Sequence, residues 1–201
     1  MRTRQLATLS IALKVALVAM LLVALAIDAQ QFQGKALGAR LIFYPLAASS
    51  VAIVWFIARA IRGRSGPYPY RADIFVTLPF LIDTIGNWLD LFDKITWWDD
   101  LMHFSLWFLL LLGLGGVLIG NDRIAKWRQI VLIAGVGALF AVFWELGEYF
   151  FFVQDNPSER ATAYQDTIGD LCLGSTGAAI AGAVQAFVFS RTAARKRNEL
   201  K

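Results

Sequence analysis

Six stretches of the chain are long and apolar enough to cross a lipid bilayer: Leu6–Ile27, Leu41–Ile61, Ile74–Phe92, Leu101–Ile119, Ile130–Phe152 and Thr167–Ser190. A transmembrane helix needs about 20 mostly apolar residues. Hydrocarbon offers the backbone no hydrogen-bond partner, so each stretch must satisfy its own N–H and C=O groups as a helix. None of the runs alternates polar and apolar residues, as the strands of a transmembrane barrel do. Connections are short, and no Pro/Ser-rich linker sets off a soluble domain. The expected fold is all-α, a polytopic transmembrane bundle of six spans, with residues 1–201 forming a single integral membrane domain. Composition agrees: 58% of residues are hydrophobic and 17% charged, against about 45–50% and about 25% in soluble domains.

The first stretch has a second reading. Met1-Arg2-Thr3-Arg4 is a basic start, Lys14 interrupts the apolar run, and Ala24-Leu25-Ala26 resembles a signal-peptidase site. With that segment cleaved, five spans remain and the new N-terminus lies outside. Orientation follows from the loop cations. Arg2, Arg4, Arg59, Arg62, Arg64, Arg71, Arg123, Lys126, Arg128, Arg191, Arg195, Lys196, Arg197 and Lys201 fall on one side, and only Lys35, Arg40, Lys94 and Arg160 on the other. The positive-inside rule then makes both termini cytoplasmic. Basic inner loops beside anionic lipid account for the net charge of +4. The bilayer is the expected partner, and no nucleic acid is called for.

The carboxylates are distributed the other way. On the same map only Asp73, Asp122 and Glu199 are cytoplasmic, and the remaining acids lie in the outer half. Several fall inside spans, where an ionised side chain costs about 2.5–3.5 kcal/mol at the bilayer centre. That cost directs attention to a functional site facing the bundle interior. Asp99 and Asp100 precede His103 by four and three residues, so one helical turn sets a carboxylate beside the imidazole. Glu145 and Glu148 share a face near the end of the fifth stretch, and Asp166 and Asp170 open the sixth. Asp83, Asn87 and Asp90 add a polar stripe to the third.

Each group also has a purely structural reading. Asp99 and Asp166 suit helix N-terminal positions, and a lone histidine is commonly a packed one. Glu145 and Glu148 resist that reading, because the C-terminal end of a helix disfavours anions. Carboxylates crowded in low dielectric call for a cation or for bound protons. Mg²⁺, Mn²⁺ or Ca²⁺ would suit the oxygens, and His103 also admits iron or zinc. Asp100, His103, Glu145, Glu148, Asp166 and Asp170 are therefore the expected ligands of a divalent metal ion. Glu145, His103 and Asp170 are the expected catalytic groups, Glu145 as ligand or general base and His103 as ligand or proton shuttle.

Weaker signals remain. Asp83-Thr84-Ile85-Gly86-Asn87 nearly recurs as Asp166-Thr167-Ile168-Gly169-Asp170, which would fit an inverted repeat. Gly174, Ala178 and Gly182 give the sixth stretch a smooth face for close helix packing. Trp97, Trp98 and Tyr149 at one side, and Tyr68, Tyr70 and Trp127 at the other, read as interfacial belts. Cys172 is the only cysteine, so no internal disulfide can form.

The ordered set Asp99-Asp100-x-x-His103-Phe104, Trp144-Glu145-x-x-Glu148 and Asp166-Thr167-x-x-Asp170 with Gly177-Ala178 resembles the YjdF-like family of bacterial inner-membrane proteins, and more distantly the VanZ-like family. The likeness covers roughly Asp83 to Gly182. It implies a multi-pass bacterial membrane protein of undefined biochemistry. Glu148 stands where the VanZ-like pattern has Gln, and Gly174 where it has Asn, which argues against a role in glycopeptide resistance. The functional expectation is an acidic/His pocket on the extracytoplasmic side, serving a metal-dependent enzyme on a lipid or lipid-linked envelope substrate. A proton- or cation-coupled transporter and a non-catalytic assembly partner are the alternatives.

Overall fold

The computed structural model describes residues 3–63, 66–119 and 124–189. The expectations resting on Arg2, Arg64, Asp122, Arg123, Ser190 and the C-terminal cations, and on the side chains of Arg62 and Glu159, lie outside what is described. The described residues form helices and no strand. They are α1 (Thr3–Ala26), α2 (Leu37–Ala48), α3 (Ser50–Arg62), α4 (Tyr70–Trp88), the short α5 (Leu91–Lys94), α6 (Trp98–Ile119), α7 (Lys126–Phe151) and α8 (Pro157–Val184), the last running on into a wide turn at Gln185–Phe189.

Among the described residues, four helical segments are long and apolar enough to cross a membrane, rather than the six expected: Thr3–Ala26, Trp98–Val117, Lys126–Asp155 and Arg160–Val188. The expected second span is broken. α2 and α3 meet at Ser49 with a bend of 44°, and together they qualify as a fifth. The cause is local. Pro45 has no N–H to give the preceding turn, and Ser49 Oγ donates to the Pro45 carbonyl at 2.8 Å in competition with the helix ladder. The expected third span corresponds to α4, which has 19 residues and ends at Trp88 rather than Phe92. Arg71, Asp73 and Asp83 give it three charged residues. Its chain reverses through Asp90, held at φ 60°.

α8 packs along both α6 and α7, α6 continues onto α4, and α4 onto α1. Leu17, Leu21, Val76, Leu111, Ala178 and Ala181 are completely buried between them. Glycine makes the close approaches possible. A methyl group at Gly177 would strike the Phe104 carbonyl of α6, and one at Gly137 would strike Ala178. Gly174 faces Trp107, and a methyl group at Gly182 would come within 3.1 Å of the Ile130 backbone. The small-residue face of the last helix is thus covered from within the chain, which removes the surface on which an assembly role was expected to rest. Cys172 is exposed on the outward side of α8.

α4 is the polar member of the bundle. Asp73, Thr77, Asp83, Thr84 and Asn87 are all buried on it. Thr77 and Thr84 donate to the carbonyls four residues back, at 2.8 and 2.7 Å, which hides both hydroxyls inside their own helix. Near one end Asp73 accepts hydrogen bonds from Ser10 and, at 2.5 Å, from Lys14, both of α1. Near the other, Asp83 accepts from Arg40 and Tyr44 of α2.

Candidate functional site

His103 lies one turn into α6, on the stripe that also buries Met102, Leu106, Trp107 and Leu110. That stripe turns the imidazole inward, where it is 6% exposed. Three carboxylates from three helices surround it. Asp99 Oδ1, one turn earlier on α6, stands 3.7 Å from Nε2, and Asp170 Oδ2 of α8 stands 3.7 Å from the same nitrogen. Glu145 Oε1 of α7 is 3.6 Å from Nδ1. These distances exceed that of a direct hydrogen bond. Two ligands about 2.1 Å from one ion, at tetrahedral or octahedral angles, stand roughly 3–3.5 Å apart, so the spacing is close to what a shared cation needs. Two ligand sets emerge, Asp99–His103–Asp170 and His103–Glu145–Glu148, each with donor atoms within 4.8 Å of one another.

The three helices deliver these groups for different reasons. Asp99 sits in the first turn of α6, where N–H groups without helical partners favour an acid. Asp170 lies in the middle of α8 and is held inward by the packing around Gly174 and Gly177. Glu145 and Glu148 sit in the last two turns of α7, against its dipole. Something other than the helix end must therefore hold them. A cavity of about 30 Å³ adjoins the cluster, lined by His103, Asp99, Glu148, Arg40, Asp83, Trp107 and Trp144 among others. This is room for about one water molecule or an ion.

Of the expected site residues, His103, Glu145, Glu148 and Asp170 come together, and Asp99 joins them. Asp100 and Asp166 do not. Both are exposed, and they line an open depression of about 360 Å³ with Thr162, Gln165 and Gly169, beside the cluster rather than in it. Because α4 ends at Trp88, Asp83 lies about 8 Å from the helix end and reaches the same cavity as His103. Arg40 and Tyr44 were not expected here. Arg40 pairs with Asp83, donates through Nε to the Lys35 carbonyl at 2.9 Å, and lies over the Tyr44 ring. A cation and a tyrosine one turn apart, Arg40 and Tyr44, were the available signal in the sequence.

The rim carries one more ion pair. Lys35 Nζ is 2.5 Å from Asp93 Oδ2, and its hydrogen bond, with the charge behind it, holds the Asp93 carboxyl below the usual carboxylate range.

A family model described as predicted membrane protein (DUF2238) matches residues 9–191. The chain belongs to that family. No curated protein and no solved structure matches this DUF2238 chain. The matched range includes every residue of the cluster as well as α1 from residue 9 onward.

Proposed function

We propose that this protein is a six-span protein of the bacterial plasma membrane with both termini cytoplasmic. Its extracytoplasmic end would carry a divalent-cation centre that activates water or polarises an oxygen of a lipid or lipid-linked envelope substrate. One observation carries the reading: a buried imidazole with carboxylates of α6, α7 and α8 around it at 3.6–3.7 Å. Crowded carboxylates with no cation near them repel one another, and a divalent ion offsets that repulsion while accepting the imidazole nitrogen as a ligand. Asp99, His103 and Asp170 form one ligand set, and His103, Glu145 and Glu148 the other. Asp100 and Asp166 at the open depression would draw cations toward the centre. The likeness to YjdF-like proteins, and the more distant one to VanZ-like proteins, belongs to this reading.

Elemental analysis of detergent-purified protein tests it. Wild type loaded with Mn²⁺ or Zn²⁺ and then desalted is expected to retain about one ion per chain. Glu145→Ala and His103→Ala should lose it by a factor of about 10–100 in affinity. Wild type that retains no metal sinks the proposal.

A transport reading has its own support in α4, which buries a carboxylate paired to a cation near each end, Asp73 with Lys14 and Asp83 with Arg40. Buried ionisable groups in a span commonly mark ion or proton paths. Metal or proton flux into proteoliposomes, measured on the same preparation, separates transport from catalysis.

A further inference from the structure

The two nitrogens of His103 face carboxylates of different helices. Asp99 and Asp170 are on the Nε2 side, and Glu145 is on the Nδ1 side with Glu148 completing that set. Leaving a buried donor or acceptor without a partner is costly. At 6% exposure, with every carboxylate around it beyond hydrogen-bond distance, this ring is arranged to be completed by something between it and its neighbours. A neutral imidazole has one lone-pair nitrogen and one N–H, so it can ligate through one side only at any moment. Two ligand sets therefore compete for one ring.

We propose that the centre holds one divalent cation at a time in either of two positions that share His103, one completed by Asp99 and Asp170 and the other by Glu145 and Glu148. The inference rests on the cation-centre reading above and goes beyond it by making the ion mobile within the site. With the ion on Nε2, the Nδ1–H points to Glu145. With the ion on Nδ1, the Nε2–H points to Asp99 and Asp170. The ring stays neutral in both, because the proton lost from one nitrogen returns to the other through water. Such an exchange would let the centre pass an ion between the half-exposed Asp99 and the buried Glu145.

Mn²⁺ titration of the full-length protein in detergent, read by stoichiometry and by the electron paramagnetic resonance of the bound ion, tests the proposal. Asp170→Asn and Glu148→Gln change a ligand on either side with little change of shape. Wild type is expected to bind one Mn²⁺ per chain. Each single variant should still bind one, weakened no more than about tenfold and with a different spectrum from the other, while the double variant should fall by more than about 100-fold. Thermal unfolding in the same detergent checks that each variant is folded. Two ions per chain in wild type would overturn the shared ring and leave a cation centre standing. So would loss of binding in one single variant with no change in the other. Wild type that binds no Mn²⁺ overturns the centre itself.

Discussion

Asp99 and Asp100 are adjacent in the chain and meet different surroundings. Each residue of a helix is turned about 100° from the last. Asp99 falls a turn before His103 and two turns before Leu106, on the stripe that packs inward, and its carboxylate reaches the imidazole. Asp100 falls toward the open depression by Asp166 and Gly169. The expected consequence is a sharp contrast between isosteric changes. Asp99→Asn should weaken Mn²⁺ binding several-fold, up to about 10-fold, and change the spectrum of the bound ion, whereas Asp100→Asn should leave affinity within about twofold and the spectrum unchanged, as it alters only an exposed charge near the site. Equal losses in the two variants would place the ion in the open depression instead. The spacing of both acids to His103 is legible in the sequence, and so is the inconsistency of Glu145 and Glu148 with the helix dipole. Which acid of the pair turns inward depends on where α6 buries its surface, and neighbouring helices decide that. The Arg40–Asp83 pair spans 43 positions, a separation at which no local pattern identifies a partner.

At the scale of elements, Lys14 changes meaning once α1 meets α4. As an interruption in an apolar run it weakens the first stretch as a span. Paired with Asp73 at 2.5 Å, and beside Ser10, it fixes how α1 sits on α4. Leu17, Leu21 and Ala24 follow it on the same side, all completely buried. Cleavage after Ala26 would take Ser10 and Lys14 away from Asp73. Asp73 is 3% exposed at its side chain and Lys14 26%, so removing the lysine strands a buried carboxylate. Lys14→Met is expected to destabilise the protein by about 3–5 kcal/mol, while Lys14→Met with Asp73→Leu should recover most of that, because an apolar pair of similar volume replaces the ion pair. Thermal unfolding of detergent-solubilised variants reads the difference. A double variant as unstable as the single one would mean that the pair acts through more than its charge. The broken second span shows the opposite limit of legibility. Pro45 is visible in the sequence, yet a proline inside a membrane helix is tolerated or breaks it according to what satisfies the freed carbonyl. Here Pro45 leaves the Leu41 carbonyl without its N–H, Ser49 Oγ takes the Pro45 carbonyl four residues on, and the helix bends.

For the whole molecule, the arrangement of charge and the number of crossings make one connected prediction. The start of α6, the end of α7, the first half of α8 and the last turns of α4 supply the cluster and Asp83, so these groups lie at a common end of the bundle. The Lys14–Asp73 pair belongs to the other end, near the start of α4. If the cations are inside, the cluster is outside. The membership of α4 decides whether that picture is consistent, because its three charges keep it from qualifying on apolarity alone. Those charges are not left facing lipid. Asp73 and Asp83 are buried and paired, and Arg71 lies in the first turn, where a long side chain can reach the interface. The six-span proposal requires α4 to cross. The turn at Gly66, between α3 and α4, and the turn at Gln154, after α7, are then separated by three crossings, α4, α6 and α7, and must lie on opposite sides. If α4 does not cross, two crossings separate them and they lie on the same side. In a Cys172→Ser background, Gln154→Cys should react with a membrane-impermeant maleimide on intact cells, and Gly66→Cys only after the membrane is opened. Both positions are exposed, so access within the protein is not limiting. Labelling of both on intact cells would remove α4 from the spans, and the reverse pattern would put the acidic cluster in the cytoplasm, where an envelope substrate could not reach it.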